Sequence, residues 1–170
     1  MNGHRVVASA PGKVILFGEH AVVHGVTAVA ASLSDLRIYV DVTSCSTSSG
    51  QLSINLHDFG DSGKQKDPFI VTYAELRESF GDVPNDIDTK GAPLSPENPG
   101  EEYLAPLRKR FSSYPPHAAH GLVAISFLVI KLLPELVYQS QTADGEGESS
   151  STGLNIDVKS IGLPIGGGLG

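Results

Sequence analysis

An α+β fold is what this sequence of 170 residues predicts. Three observations carry that expectation. Strand-like runs crowd the first third of the chain, one long apolar stretch of helical length lies late in it, and a last alternating strand runs into glycines. A doubly wound fold would instead alternate strands and helices from end to end.

Val6 to Ala10 is rich in β-formers and stops at Pro11-Gly12, a turn signal. Lys13 to Phe17 (KVILF) resumes the strand pattern and Gly18 closes it, so the expectation is strand, turn, strand. Leu36 to Thr43 (LRIYVDVT) and Gln51 to His57 (QLSINLH) come next. In the second of these, Leu52, Ile54 and Leu56 alternate with Ser53 and Asn55, the mark of a strand with one buried face. Ser44 to Gly50 (SCSTSSG) reads as the loop joining the two into a half-buried antiparallel pair.

From about 58 to 100 the sequence changes character. DSGKQKD is followed by a short helical segment, Tyr73 to Phe80, and then by APLSPENPG, whose prolines cannot sit inside regular elements. The stretch reads as a peripheral, partly ordered insert. His117 to Tyr138 is apolar on most sides and reads as a core helix that ends or kinks near Pro134. Residues 139–152 read as a flexible acidic loop. Leu154 to Ser160 forms a final strand, with Leu154, Ile156 and Val158 on one face, and delivers the chain to LPIGGGLG, Leu163 to Gly170.

Composition narrows the function. A formal net charge of −7, with only 12 Lys plus Arg, argues against a nucleic-acid partner. An anionic ligand must then be met locally, by loops and single lysines. Cys45 is the lone cysteine, which excludes an intrachain disulfide and suits a reducing, cytoplasmic compartment. The apolar run Leu122 to Leu133 is interrupted by Ser126 and Lys131 and falls short of the ~20 residues of a membrane span. No membrane partner is expected.

Two motifs carry chemistry. The glycines Gly166, Gly167, Gly168 and Gly170 let a backbone approach a phosphate closely, although a glycine-rich end is also the composition of a plain linker. The stronger motif is APGKVILFGEHAVVHG, Ala10 to Gly25. Pro11-Gly12 holds Lys13 at a tight turn, where its compact positive charge can meet a phosphate or a hydroxyl losing its proton. Glu19 and His20 add an anion and a titratable imidazole next to a glycine. His20 and His24 have i, i+4 spacing, but no zinc-protease order of ligands surrounds them, and His117 and His120 lack a third ligand. No metal site is expected in this chain.

Pro11 to Gly25 together with Leu163 to Gly170 resembles the mevalonate kinase family of the GHMP small-molecule kinases. The G-E-H-A-V-V-H run separates that family from galactokinases and phosphomevalonate kinases. The 58–100 stretch and the acidic loop look more like fungal members than animal ones. The resemblance implies ATP- and Mg²⁺-dependent phosphorylation of the primary hydroxyl of mevalonate, in isoprenoid and sterol synthesis. It implies the fold of a GHMP kinase N-terminal domain, resembling the second domain of ribosomal protein S5, with a left-handed β-α-β crossover. Residues 1–170 would be that domain cut inside its phosphate loop, with the C-terminal domain absent. A homodimer is the assembly implied for the full-length enzyme.

By the same resemblance Lys13 is the catalytic lysine, also contacting ATP, and Glu19 and His20 are the substrate-binding residues. Gly166, Gly167, Gly168, Leu169 and Gly170 match the loop that holds the ATP phosphates. Ser160 matches a serine just before that loop, and Asp58 stands where the family often has an asparagine in the adenine pocket. The family's loop goes on to a magnesium-binding serine that lies beyond Gly170. The chain alone is therefore expected to be inactive, and the alternatives are a truncated non-catalytic product that acts by binding or another GHMP kinase such as phosphomevalonate kinase.

Overall fold

The computed structural model describes residues 3–58, 67–80, 101–138 and 151–162. Five strands, β1 (Arg5–Phe17), β2 (Val29–Thr47), β3 (Gln51–Leu56), β4 (Phe69–Thr72) and β5 (Ser151–Ile161), form one sheet in the order β1-β2-β5-β3-β4. Strands β3 and β5 are parallel and the other pairs antiparallel. Four helices, α1 (Tyr73–Phe80), α2 (Glu101–Arg110), α3 (Pro116–Leu132) and α4 (Pro134–Tyr138), lie between β4 and β5 in the chain. The architecture is α+β with a mixed sheet, as the order of elements predicts.

The sheet departs from the sequence reading in three places. Pro11-Gly12 does not turn the chain: β1 runs straight through it, and the irregularity appears as a shift of register against β2. An edge strand tolerates this, because the missing proline N–H costs no ladder bond when it faces outward. Ser44 to Thr47 belongs to β2 and is not loop. Strands β2 and β3 do not pair, because β5 lies between them, with Ser44 opposite Leu154 and Leu154 opposite Leu52. Inserting β5 places Leu154 and Ile156 beside Leu52 and Ile54 on one continuous apolar face, which a local hairpin would leave incomplete.

That face is the floor of the core. Leu52, Ile54, Val71, Leu154 and Ile156 are buried against Leu76 of α1, Leu107 of α2, Leu122 and Ile130 of α3, and Val137 of α4. Helix α3 meets the sheet at Gly121, where an added Cβ would lie 3.3 Å from Leu56 Cδ1. The apolar helix breaks at Leu133 (φ −131, ψ 51) and restarts at Pro134, as the proline predicts. Helix α2, with Pro106 inside it, has no counterpart in the sequence reading.

Part of the stretch expected to be peripheral is built into the core. Val71, Tyr73 and Leu76 are buried, and the Tyr73 N–H donates to Gly50 O at 3.2 Å. Burial pushes the Tyr73 phenol up to about 12. The rest of the insert, 59–66 and 81–100, lies outside the described residues, as does 139–150 of the acidic loop. Ser151 and Thr152, at the end of that loop, already belong to β5.

Helix α1 is short and depends on its start. The Thr72 hydroxyl accepts the Glu75 N–H at 3.2 Å, while Glu75 Oε2 accepts the Thr72 N–H at 2.8 Å and its hydroxyl at 2.9 Å. This reciprocal cap satisfies donors that the first turn leaves open. The Thr72 N–H, then the Thr72 hydroxyl and the Arg110 charge, hold the Glu75 carboxyl below its usual range. Stability from a depressed carboxylate is present above its unfolded pKa and is lost as pH falls through the folded one. Glu75→Gln is thus expected to cost about 0.5–1 kcal/mol at neutral pH, a small figure because the side chain is 41% exposed. Urea unfolding should show that difference shrinking as pH falls below the ordinary carboxylate range; an equal cost at neutral and acid pH would remove the charge from the account.

Candidate functional site

The stronger motif occupies the outer edge of the sheet and the turn after it. Arg37 of β2 lies opposite Pro11, and Leu33 opposite Gly12, so Ser34, Asp35 and Leu36 bulge out of β2 at that point. The bulge re-aims the two strands, which continue as a ribbon past the end of β5. Arg37 spans the junction: its guanidinium donates to Ser9 Oγ at 3.0 and 3.1 Å and to Ser9 O at 3.3 Å. Lys13 follows, opposite Ser32, and is exposed.

Phe17 ends β1 and Gly18 turns the chain at φ 85. Only glycine serves there, because a Cβ would sit 2.9 Å from Thr27 O and from Ala28 Cα in a conformation that side chains rarely adopt. The Gly18 carbonyl accepts the N–H groups of Ala21 (3.2 Å) and Val22 (2.9 Å), opening a single 3₁₀ turn, Val22–His24. Glu19 and His20 ride on this turn, both exposed. Among the described residues no hydrogen bond or ion pair engages Lys13, Glu19 or His20, so all three polar groups face solvent unspent.

Register brings the end of β5 to the same place. Ala10 lies opposite Ile38 and Ile38 opposite Ser160; Pro11 lies opposite Arg37 and Arg37 opposite Ile161. Lys13 stands two residues farther along β1, just past the last rung of β5. Gly162 leaves the strand at φ 74, packed so that a Cβ would be 2.7 Å from Leu36 Cδ2 in the β2 bulge. Asp58, at the end of β3, accepts the Ser160 N–H on Oδ2 at 2.5 Å. The structure therefore unites Asp58 with Ser160 and puts the β5 exit across β2 from the segment of β1 that leads to Lys13. Gly166, Gly167, Gly168, Leu169 and Gly170 lie outside the described residues.

One cluster escaped the sequence reading. On the helix-free face, Asp157 Oδ1 accepts Asn55 Nδ2 at 3.0 Å and lies 2.9 Å from His57 Nε2. Its signal was the polar phase of the two alternating strands, Asn55 and His57 in one and Asp157 in the other, but a parallel pairing across about 100 residues leaves no local trace. A groove of about 550 Å³ between α2 and α3, lined by Leu104, Arg108, His120, Val123, Phe127 and Leu128 among others, includes none of the residues above. Among the described residues no three His, Cys, Asp or Glu side chains converge as a metal site would need.

No family model matches the chain. Curated proteins do. A mevalonate kinase of Gibberella zeae is 54% identical over 54 residues, 32% of this chain and 10% of that protein. One of Pyrococcus abyssi is 44% identical over 75 residues, 44% of this chain and 20% of its own length. The mouse mevalonate kinase is 38% identical over 103 residues, 51% of this chain and 25% of its own. The matched segments thus span a quarter or less of each relative. The mixed α+β sheet is compatible with the N-terminal domain of such a kinase, and segments of this chain are similar to mevalonate kinases of a fungus, an archaeon and a mammal.

Proposed function

We propose that these residues are the N-terminal part of a mevalonate kinase, which moves the γ-phosphoryl of ATP to the primary hydroxyl of mevalonate. The observation that supports this reading is that Lys13 and the strand end, Ser160 to Ile161, that precedes the glycine-rich stretch flank β2 toward the same end of the sheet. Phosphoryl transfer asks little covalent chemistry of a protein. It needs the two reactants aligned and the charge on the transferring group neutralised. The Lys13 ammonium, exposed on the edge strand β1 just past its register shift, supplies the charge. Glu19 and His20, on the turn that Gly18 opens, bind the alcohol substrate from the other side. Gly166 to Gly170 contribute N–H groups to the phosphates, with Asp58 and Ser160 on the nucleotide side. Magnesium, when bound with ATP, would offset phosphate charge.

The whole enzyme would work in the cytoplasm, in isoprenoid and sterol synthesis, and would assemble as a homodimer. The matched segments span a quarter or less of the relatives' length, so the 170-residue chain by itself is expected to bind ATP weakly and to show no turnover in an assay coupling ADP release to mevalonate. The full-length protein from its source is expected to release ADP only when mevalonate is added. Mevalonate-independent release, or none, would sink the reading for the whole protein; steady turnover by the 170-residue chain above its Lys13→Met control would sink the expectation that these residues alone are inactive.

A further inference from the structure

Between Pro11 and Gly12 the β1–β2 ladder breaks. Pro11 lies opposite Arg37 and Gly12 opposite Leu33, so Ser34, Asp35 and Leu36 of β2 have no residue of β1 across from them. A ladder fixes the angle between its parts only where rung follows rung, and at this break the last rung ends on a proline, which has no N–H to give. The ribbon beyond carries Lys13, with Glu19 and His20 on the turn at its end.

A side chain ties the strands together where the ladder stops. Ser9 pairs with Tyr39, so Arg37 reaches it on the diagonal, a span that a long side chain covers. Its Nε and Nη2 donate to Ser9 Oγ at 3.1 and 3.0 Å, and Nη2 donates to Ser9 O at 3.3 Å. Two donors fixed in one plane set the direction of the guanidinium as well as its distance. Among the described residues the other side-chain hydrogen bonds between β1 and β2 join Arg5 to Asp41, near the start of β1, and none lies beyond the break. We propose that Arg37 is a positioning residue for Lys13: by gripping Ser9 it locks the last rungs before the break, and so sets the angle at which the ribbon leaves the sheet and where the Lys13 ammonium stands. The kinetic half of this inference rests on the kinase reading above; the brace itself does not.

In the full-length protein, Arg37→Ala is expected to lower kcat about tenfold, and Ser9→Ala about threefold because the Ser9 carbonyl still accepts a bond. Ser9→Thr keeps the hydroxyl and should bring kcat back to within about twofold of wild type. In a Lys13→Met background, Arg37→Ala should change kcat by less than about twofold, since a residue that acts through the lysine has nothing left to place. Equal losses in both backgrounds, or a silent Ser9→Ala, would give Arg37 a role apart from Lys13 and overturn the proposal. Hydrogen exchange read by mass spectrometry tests the brace without any turnover. Amides from Gly12 to Phe17 are expected to exchange about tenfold faster in Arg37→Ala, with those of β3 within about threefold of wild type. No change from Gly12 to Phe17, or the same rise in both segments, overturns the local brace. A wild-type protein that phosphorylates nothing overturns the kinase reading and Arg37's kinetic part with it, while exchange from Gly12 to Phe17 still decides the brace.

Discussion

Lys13→Met in the full-length protein is expected to lower kcat by about two to three orders of magnitude while leaving KM for mevalonate within about threefold. The split follows from where the lysine acts. A positive charge that meets the phosphoryl group as its charge spreads in the transition state lowers the barrier, and it adds little to ground-state binding through a hydroxyl that is uncharged. The structure makes the variant a clean one. Lys13 is exposed on the β1–β2 ribbon, and among the described residues it makes no hydrogen bond or ion pair that its loss would break. Methionine keeps the length and most of the apolar stem. Unfolding midpoints of wild type and variant should therefore agree to within about 0.5 kcal/mol. Lys13→Arg is expected to recover only part of the rate, because a planar fork does not replace a compact ammonium. An unchanged kcat would remove the lysine from the chemistry, and a large rise in KM alone would move it to substrate binding.

The site was more legible in sequence than the sheet that presents it. Pro11-Gly12-Lys13 and Gly18-Glu19-His20 sit on contiguous residues, and the irregularity they signal is real: one is a register shift and the other a left-handed turn. What the residues did not show was that the first irregularity lies inside a strand. A Pro-Gly pair breaks a local pattern whether the chain turns or merely bulges at an edge, and the difference is decided by β2 opposite it. The same limit hid the partner of β3. The alternation of Leu52, Ile54 and Leu56 says which face is buried and nothing about what lies alongside, and β5 arrives from about 100 residues away. Ser44 to Thr47 reads as loop because small polar residues favour turns, yet pairing with Ser151 to Leu154 overrides that preference. Helix α2 was obscured by Pro106 and by five charged residues in its ten; burial of Leu107 against the core secures it.

Ile54→Ala is expected to cost about 2–5 kcal/mol, a large part of the 5–15 kcal/mol by which a domain is usually stable. Ile54 is wholly buried, paired with Ile156 on one side and Phe69 on the other, under the helices. Truncating it removes apolar contact and opens a cavity at the junction of three strands, where the backbones are held by ladders on both sides and cannot close in. One position after Phe69 on β4, Ile70 points to the opposite face and is 55% exposed. Ile70→Ala, the same deletion in the same sheet, should change stability by no more than about 0.5 kcal/mol. Urea unfolding of the two variants against wild type tests the placement of β5, since only with β5 alongside does the Ile54 face become fully enclosed. Equal costs would mean that β3 has no buried side, and the parallel pairing that brings Ser160 to Asp58 would have to be abandoned.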